Sequence, residues 1–192
     1  MDCFALLDEP RRPWLDTSAL KEKFLARGAE THPDKFPDAQ AKATAQARFT
    51  DLNTAHDTLA DAKRRLAHLL TLERGVKPQE VHDIPPETAD LFLEVGALLK
   101  PVDDFLTNHE SETSALLRAQ AMPKALQWLE RVEALQQQLN SQMKTLDAEL
   151  QVLNGAWDEN PPLNSVERLY HQYSYLGRWL DQLRDRALRL AL

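Results

Sequence analysis

Leu20-Lys21-Glu22-Lys23-Phe24-Leu25-Ala26-Arg27-Gly28-Ala29-Glu30-Thr31-His32-Pro33-Asp34-Lys35-Phe36-Pro37-Asp38 is the stretch that decides the fold. Leu20, Phe24, Arg27 and Thr31 recur at i, i+4, i+7 and i+11, which predicts a helix with Leu20 and Phe24 turned to a core. Asp16 and Thr17 offer N-cap side chains ahead of it. The helix must end near Thr31, because His32 precedes Pro33 and a proline ring crowds the preceding residue out of the α region. Past the loop His32-Pro33-Asp34-Lys35-Phe36-Pro37, Asp38 caps a returning helix that runs to about Leu59. Phe49, Leu52, Ala55 and Leu59 line one face of that helix. Two antiparallel helices joined by a proline-stiffened tip follow from this.

Shorter elements flank the hairpin. Cys3-Phe4-Ala5-Leu6-Leu7-Asp8 can make a turn or two of helix before Pro10 and Pro13 interrupt. A short helix from about Asp61 to Leu72 ends at Gly75, a C-terminal capping glycine. Residues 1–75 therefore form one compact unit, and 76–86, with three prolines, read as a linker.

Three helical segments occupy 87–192. The first runs from about Glu87 to Leu106 with a bend at Pro101. The second spans Glu112 to Leu153 and breaks at Met122-Pro123; its stripe is Leu126, Leu129, Val132, Leu135, Leu139, Met143, Leu146, Leu150 and Leu153. The third opens at Asn164, which with Glu167 has capping-box spacing, and aligns Val166, Leu169, Tyr173, Leu176, Leu180, Leu183 and Ala187. Three such helices bury one another in a three-helix bundle, and the chain is all-α. The alternative use of the stripe over 126–153 is a seam between two copies; its irregular steps and Gln-rich flanks favour the bundle and a monomer.

Composition excludes several classes. Hydrophobic residues at 43% and charged residues at 28% describe a globular chain rather than a disordered one. The apolar runs are too short for a membrane span, and Asp2, Asp8 and Glu9 at the start leave no secretory signal. Cys3 as the single cysteine excludes an internal disulfide and paired-cysteine zinc sites, and a cytoplasmic setting is expected. Residues 1–75 hold 12 basic and 12 acidic groups, so the net −7 lies wholly in the rest of the chain. An acidic half argues against nucleic acid. His56, His68, His82, His109 and His171 are scattered without metal-ligand spacing, no glycine-rich loop awaits a nucleotide, and no nucleophile–base pair stands out. No cofactor, no metal and no catalytic residue of its own are expected. Trp14, Trp128, Trp157 and Trp179 read as packing anchors.

The residues that remain are at the hairpin tip. Pro33 fixes one backbone angle, so His32 and Asp34 project with little entropy left to lose on binding. Lys23 and Arg27, at i and i+4, share a flank of the helix leading to the tip, with Lys21 nearby.

This hairpin, with Phe24 before its His-Pro-Asp loop, Lys35-Phe36 after it and Leu52-Asn53-Thr54-Ala55 on the returning helix, resembles the J-domain family. The resemblance implies docking on an acidic surface of a DnaK/HscA-type chaperone ATPase through His32, Pro33, Asp34 and Lys35, with Lys21, Lys23 and Arg27 beside them. Their effect is to stimulate the partner's ATPase. A J-domain, a linker and an acidic three-helix bundle in this order resemble the HscB (Jac-type) co-chaperones of iron–sulfur cluster assembly. Met1-Asp2-Cys3-Phe4-Ala5-Leu6-Leu7 is similar to that family's MDYFxLF opening, Arg65-Leu66-Ala67-His68-Leu69-Leu70 to its RAxYLL helix, and Gly177-Arg178-Trp179-Leu180-Asp181-Gln182-Leu183 to its LRFLDKL segment. By resemblance, Phe92, Leu93 and Glu94 with Arg178 and Trp179 contact an IscU-type scaffold protein as client. The stretch Leu91–Lys100 departs from the family's FLMExxExRE: Ala97 replaces a glutamate and Leu99-Lys100 replaces Arg-Glu. Leu91, Phe92 and Leu93 could equally be bundle core, and a different client is the runner-up reading.

Overall fold

The computed structural model describes residues 1–79, 88–158 and 160–191. Residues 80–86 of the expected linker lie outside the described residues. The described residues form helices and their connections, with no strand among them, the all-α class expected, and separate into two compact units.

The first unit comprises Met1–Gln79 together with Asp147–Tyr170. It opens with α1 (Cys3–Leu6), where the Asp2 carboxylate accepts the N–H groups of Phe4 and Ala5. Asp16 caps α2 (Thr17–Thr31) through Ser18 and Ala19, and a 3-10 turn, Pro33–Lys35, leads to α3 (Ala39–Ala60), capped by Asp38 through Ala41. Asp61 caps α4 (Ala62–Arg74), which ends at Gly75 with φ 75°, a left-handed conformation that costs glycine nothing. Helix α3 is the hub: α1, α2 and α4 all pack on it. Phe4, Leu7, Leu20, Leu52, Ala55, Leu59, Leu66, Leu69 and Leu70 form the core.

Phe24 and Phe49 are only half-buried, against expectation for a core face. Each instead packs on a histidine: Phe24 stacks on His56 with ring centres 4.4 Å apart, and Phe49 meets His32 edge-on at 5.4 Å.

Polar bonds tie the unit together. Arg65, only 2% exposed, donates from Nε to the Pro13 carbonyl (2.9 Å) and from a guanidinium nitrogen to the Leu59 carbonyl (2.6 Å). Asn154, near the end of the sixth helix, pairs with the Trp14 backbone in both directions at 3.1 and 2.9 Å, and Arg12 forks onto Asp158 at 2.7 and 2.6 Å. Asn164 and Glu167 do not form the expected capping box: α7 (Leu163–Leu190) begins one residue before Asn164, and both side chains accept from Arg74 (3.0 and 2.8 Å). A charge-assisted bond to guanidinium outcompetes a cap that water can replace.

The second unit comprises Glu80–Leu146 and His171–Leu192. Its helices are α5 (Ala89–Ser111), the part of α6 (Ala115–Gly155) up to Leu146, and the part of α7 (Leu163–Leu190) from His171. Leu91, Val95, Leu98, Val102 and Leu106 step by three or four along α5 and are buried, as are Val132, Leu135, Leu139 and Leu146 on α6 and Tyr173, Leu176, Leu180 and Leu183 on α7. Two expectations are corrected. Helix α6 passes through Met122-Pro123 without a break: Ala119, whose carbonyl loses its helical donor to the proline, is an exposed residue, where solvent can take the place of the missing N–H. And Leu126 is exposed, with Ala125 taking its place on the buried stripe. Arg186 clamps Asp103 at 2.9 and 3.1 Å, joining α7 to α5.

Candidate functional site

Pro33 is buried beneath the hairpin tip, while His32 and Asp34 on either side keep 47% and 77% of their side chains exposed. The turn is closed by Lys35 N–H to His32 O (3.0 Å) and Phe36 N–H to Pro33 O (3.2 Å). Nδ1 of His32 accepts the Asp34 backbone N–H at 3.3 Å. That bond requires a lone pair on Nδ1, so the neutral ring carries its proton on Nε2. The Asp34 carboxylate lies 3.6 Å from the imidazole and 3.8 Å from Lys42 Nζ. One small surface thus offers an N–H donor, a carboxylate and the ammonium of exposed Lys35. Lys42 had not been singled out from the sequence; its one signal was a position one helical turn past the Asp38 cap.

Exposed Lys21 stands apart from the other two basic residues. Lys23 is turned back, donating to the Asp8 carbonyl (2.9 Å) and pairing with Glu9 (2.8 Å), and Arg27 lies 3.6 Å from the Asp8 carboxylate. Lys23 and Arg27 do share a flank, but acidic groups of the α1–α2 connection already face them. The long, exposed Arg27–Asp8 pair is weak and exchanges readily for a stronger acidic surface, whereas Lys23 is held more firmly by a Glu9 carboxylate that is only 9% exposed.

On the second unit, Leu91 belongs to the core, whereas Phe92 and Leu93 are 43% and 66% exposed. The Phe92 ring lies 6.2 Å from Trp179, which in turn lies 5.7 Å from Tyr175. Arg178 is exposed and sits over the Tyr175 ring at 5.4 Å. Glu94 accepts from Gln138 at 3.0 Å. Helices α5 and α7 therefore bring Phe92 and the Arg178–Trp179 pair together. Trp179, expected as a contact residue, is buried: a large ring at the α5–α7 seam gains more from packing than from water, so it supports Phe92 from below.

Cys3 is buried, its thiol pushed up by loss of solvent. Sequence reasoning missed His68, whose Nε2 accepts the Cys3 backbone N–H at 3.1 Å. Burial holds that imidazole below its ordinary pKa, against the opposing pull of Asp2. Among the described residues no group of three or more His, Cys, Asp and Glu is placed to hold a metal, and no helix is long and apolar enough to cross a membrane.

No protein-family model matches the sequence. The co-chaperone protein HscB homologs of Acinetobacter baumannii strains AYE and ACICU are 28% identical over 131 residues, 68% of this chain and 68% of theirs. The chain is similar in sequence to these HscB homologs. Human co-chaperone protein HscB superimposes with a TM-score of 0.67 at 16% identity, covering 96% of this chain and 81% of the human one. Vibrio cholerae HscB superimposes with a TM-score of 0.62 at 18% identity, covering 96% of each chain. The HscB likeness therefore extends over both units in fold, and in sequence over two thirds of the length.

Proposed function

We propose that this protein is a J-type co-chaperone that docks on a DnaK/HscA-type chaperone and accelerates its ATP hydrolysis. The observation that carries this reading is the pair of exposed side chains, His32 and Asp34, pinned to one another over buried Pro33. Lys35, Lys21 and the weakly engaged Arg27, with Lys23 beside them, complement an acidic partner surface, which makes docking sensitive to salt. In this reading residues 1–75 engage the chaperone, 76–86 link, and 87–192 carry a client, the protein acting as a monomer in the cytoplasm. Holding chaperone and client at once raises their local concentration. The protein performs no chemistry of its own.

The client we infer is an iron–sulfur scaffold protein of the IscU type, for cluster assembly or transfer, held by Phe92, Leu93, Glu94 and Arg178 with Trp179 beneath. Ala97 and Lys100, both exposed beside this face where an HscB pattern has acidic residues, favour a second reading in which the bundle carries a different client.

Steady-state ATP turnover by a DnaK/HscA-type chaperone tests the first claim: the wild-type protein raises it, and His32→Gln or Asp34→Asn does not. Absence of stimulation across several such chaperones refutes it. Capture of an IscU-type scaffold, lost in Phe92→Ala and Arg178→Ala, separates the two client readings; no capture by the wild type leaves the second.

A further inference from the structure

Helix α1 ends in a left-handed turn beside the basic flank of α2. Asp8 has φ 57°, its N–H reaches the Ala5 carbonyl at 3.4 Å, and the Glu9 N–H reaches the Phe4 carbonyl at 2.9 Å. That pair of bonds closes many helices, and glycine ordinarily fills the left-handed place. Here an aspartate fills it, a residue that tolerates the conformation better than most and brings a charge that glycine does not. The turn delivers two carboxylates, on successive residues, to Lys23 and Arg27.

The two carboxylates differ in grip. That of Glu9 is largely covered and lies 2.8 Å from Lys23 Nζ, which also donates to the Asp8 carbonyl at 2.9 Å. Two of the three donors of that ammonium are therefore spent inside the protein. The Asp8 carboxylate is exposed and stands 3.6 Å from Arg27, a looser contact. Two cations and two carboxylates cancel, so this flank of α2 presents no net charge.

We propose that Asp8 and Glu9 form an internal acidic clip that competes with the chaperone for the basic flank of α2. This rests on the co-chaperone reading and adds a regulation of the same docking site. A partner carboxylate approaching Lys23 meets the Glu9 carboxylate already seated there, and like charges side by side raise the cost of docking. Arg27 exchanges first, because its contact is long and solvated. Lys23 follows only when the partner surface outcompetes Glu9. The clip thereby sets a threshold of negative charge that a chaperone must present, which helps to tell one chaperone from another.

The full-length protein, titrated into a DnaK/HscA-type chaperone with ATP turnover as readout, tests this. Asp8→Asn/Glu9→Gln removes both charges and keeps the turn, since asparagine adopts a left-handed φ and glutamine still accepts from Lys23. The concentration giving half-maximal stimulation falls about three- to fivefold in this variant, the size that one or two surface ion pairs carry. Adding Lys23→Gln removes the gain. Glu22→Gln/Glu30→Gln, which takes the same charge from exposed positions of the same helix, gives clearly less. Without chaperone, amine acetylation read by mass spectrometry modifies Lys23 more slowly than Lys21 in the wild type, and the difference shrinks in Asp8→Asn/Glu9→Gln. An unchanged or higher half-maximal concentration in that variant, or an equal gain from the Glu22 and Glu30 substitutions, overturns the proposal while the co-chaperone reading stands. Equal acetylation of Lys21 and Lys23 in the wild type overturns it as well. A wild type that raises no turnover, with Lys23 still protected, refutes the co-chaperone reading and this use of the clip with it.

Discussion

His32 and Asp34 are fixed by one another: the imidazole Nδ1 of the first accepts the backbone N–H of the second at 3.3 Å, and the two side chains emerge on the same side of the tip. Neither belongs to the buried core: their side chains are 47% and 77% exposed. His32→Gln and Asp34→Asn are therefore expected to leave the unfolding free energy within about 0.5 kcal/mol of wild type while abolishing chaperone stimulation. Equilibrium unfolding run beside the ATPase assay checks the separation.

Arg65 is the opposite case. Its guanidinium is buried and feeds the carbonyls of Pro13 and Leu59. Arg65→Leu strands both acceptors and is expected to cost roughly 3 kcal/mol, with Arg65→Lys only partly restoring it, since a lysine cannot reach two divergent carbonyls with one planar fork. Urea denaturation of the two variants gives the comparison.

His68 makes stability depend on pH. Burial holds its pKa below the ordinary value, so the native state prefers the neutral ring, which accepts the Cys3 N–H. The groups facing it are the Asp2 carboxylate at 4.0 Å, which favours the proton, and the N-terminal ammonium and Arg11, which oppose it. An unfolded histidine takes up its proton near pH 6.5, before the folded one does. The stabilisation is therefore complete above about pH 6.5 and is lost as pH falls through the lowered folded value. Unfolding free energy measured at pH 7.5 and pH 5.5 should drop for the wild type, and should drop less for His68→Gln.

Leu91 and Leu93 are two residues apart on α5 and face opposite environments, 8% and 66% exposed. Leu91→Ser is expected to destabilise the protein by about 3 kcal/mol, and Leu93→Ser by no more than about 0.5 kcal/mol. If the client reading is right, the second variant loses scaffold capture at full stability. Thermal unfolding together with the capture assay distinguishes them.

The helices themselves were legible in the sequence because their causes are local. Asp16, Asp38 and Asp61 each cap a helix through their own neighbours' N–H groups, and Gly75 terminates one by a backbone conformation other residues avoid. Pro33 marked the tip for the same reason. Pro123 misled: a break was expected, but the cost of a missing N–H depends on whether water reaches the freed carbonyl, and solvent access is not a local property.

What the sequence determined alone was therefore the set of elements and the tip, since capping, periodicity and proline act over at most four residues. Only the tertiary structure decided which partners those elements bring. It set Asn154 against Trp14 across 140 positions and Arg74 against Glu167 across 93, paired Lys23 with Glu9, and buried Trp179 under Phe92. Each of these contacts joins residues whose separation along the chain carries no signal of proximity, and each forms because a buried or half-buried polar or aromatic group must find complementary atoms once the apolar stripes have closed on one another.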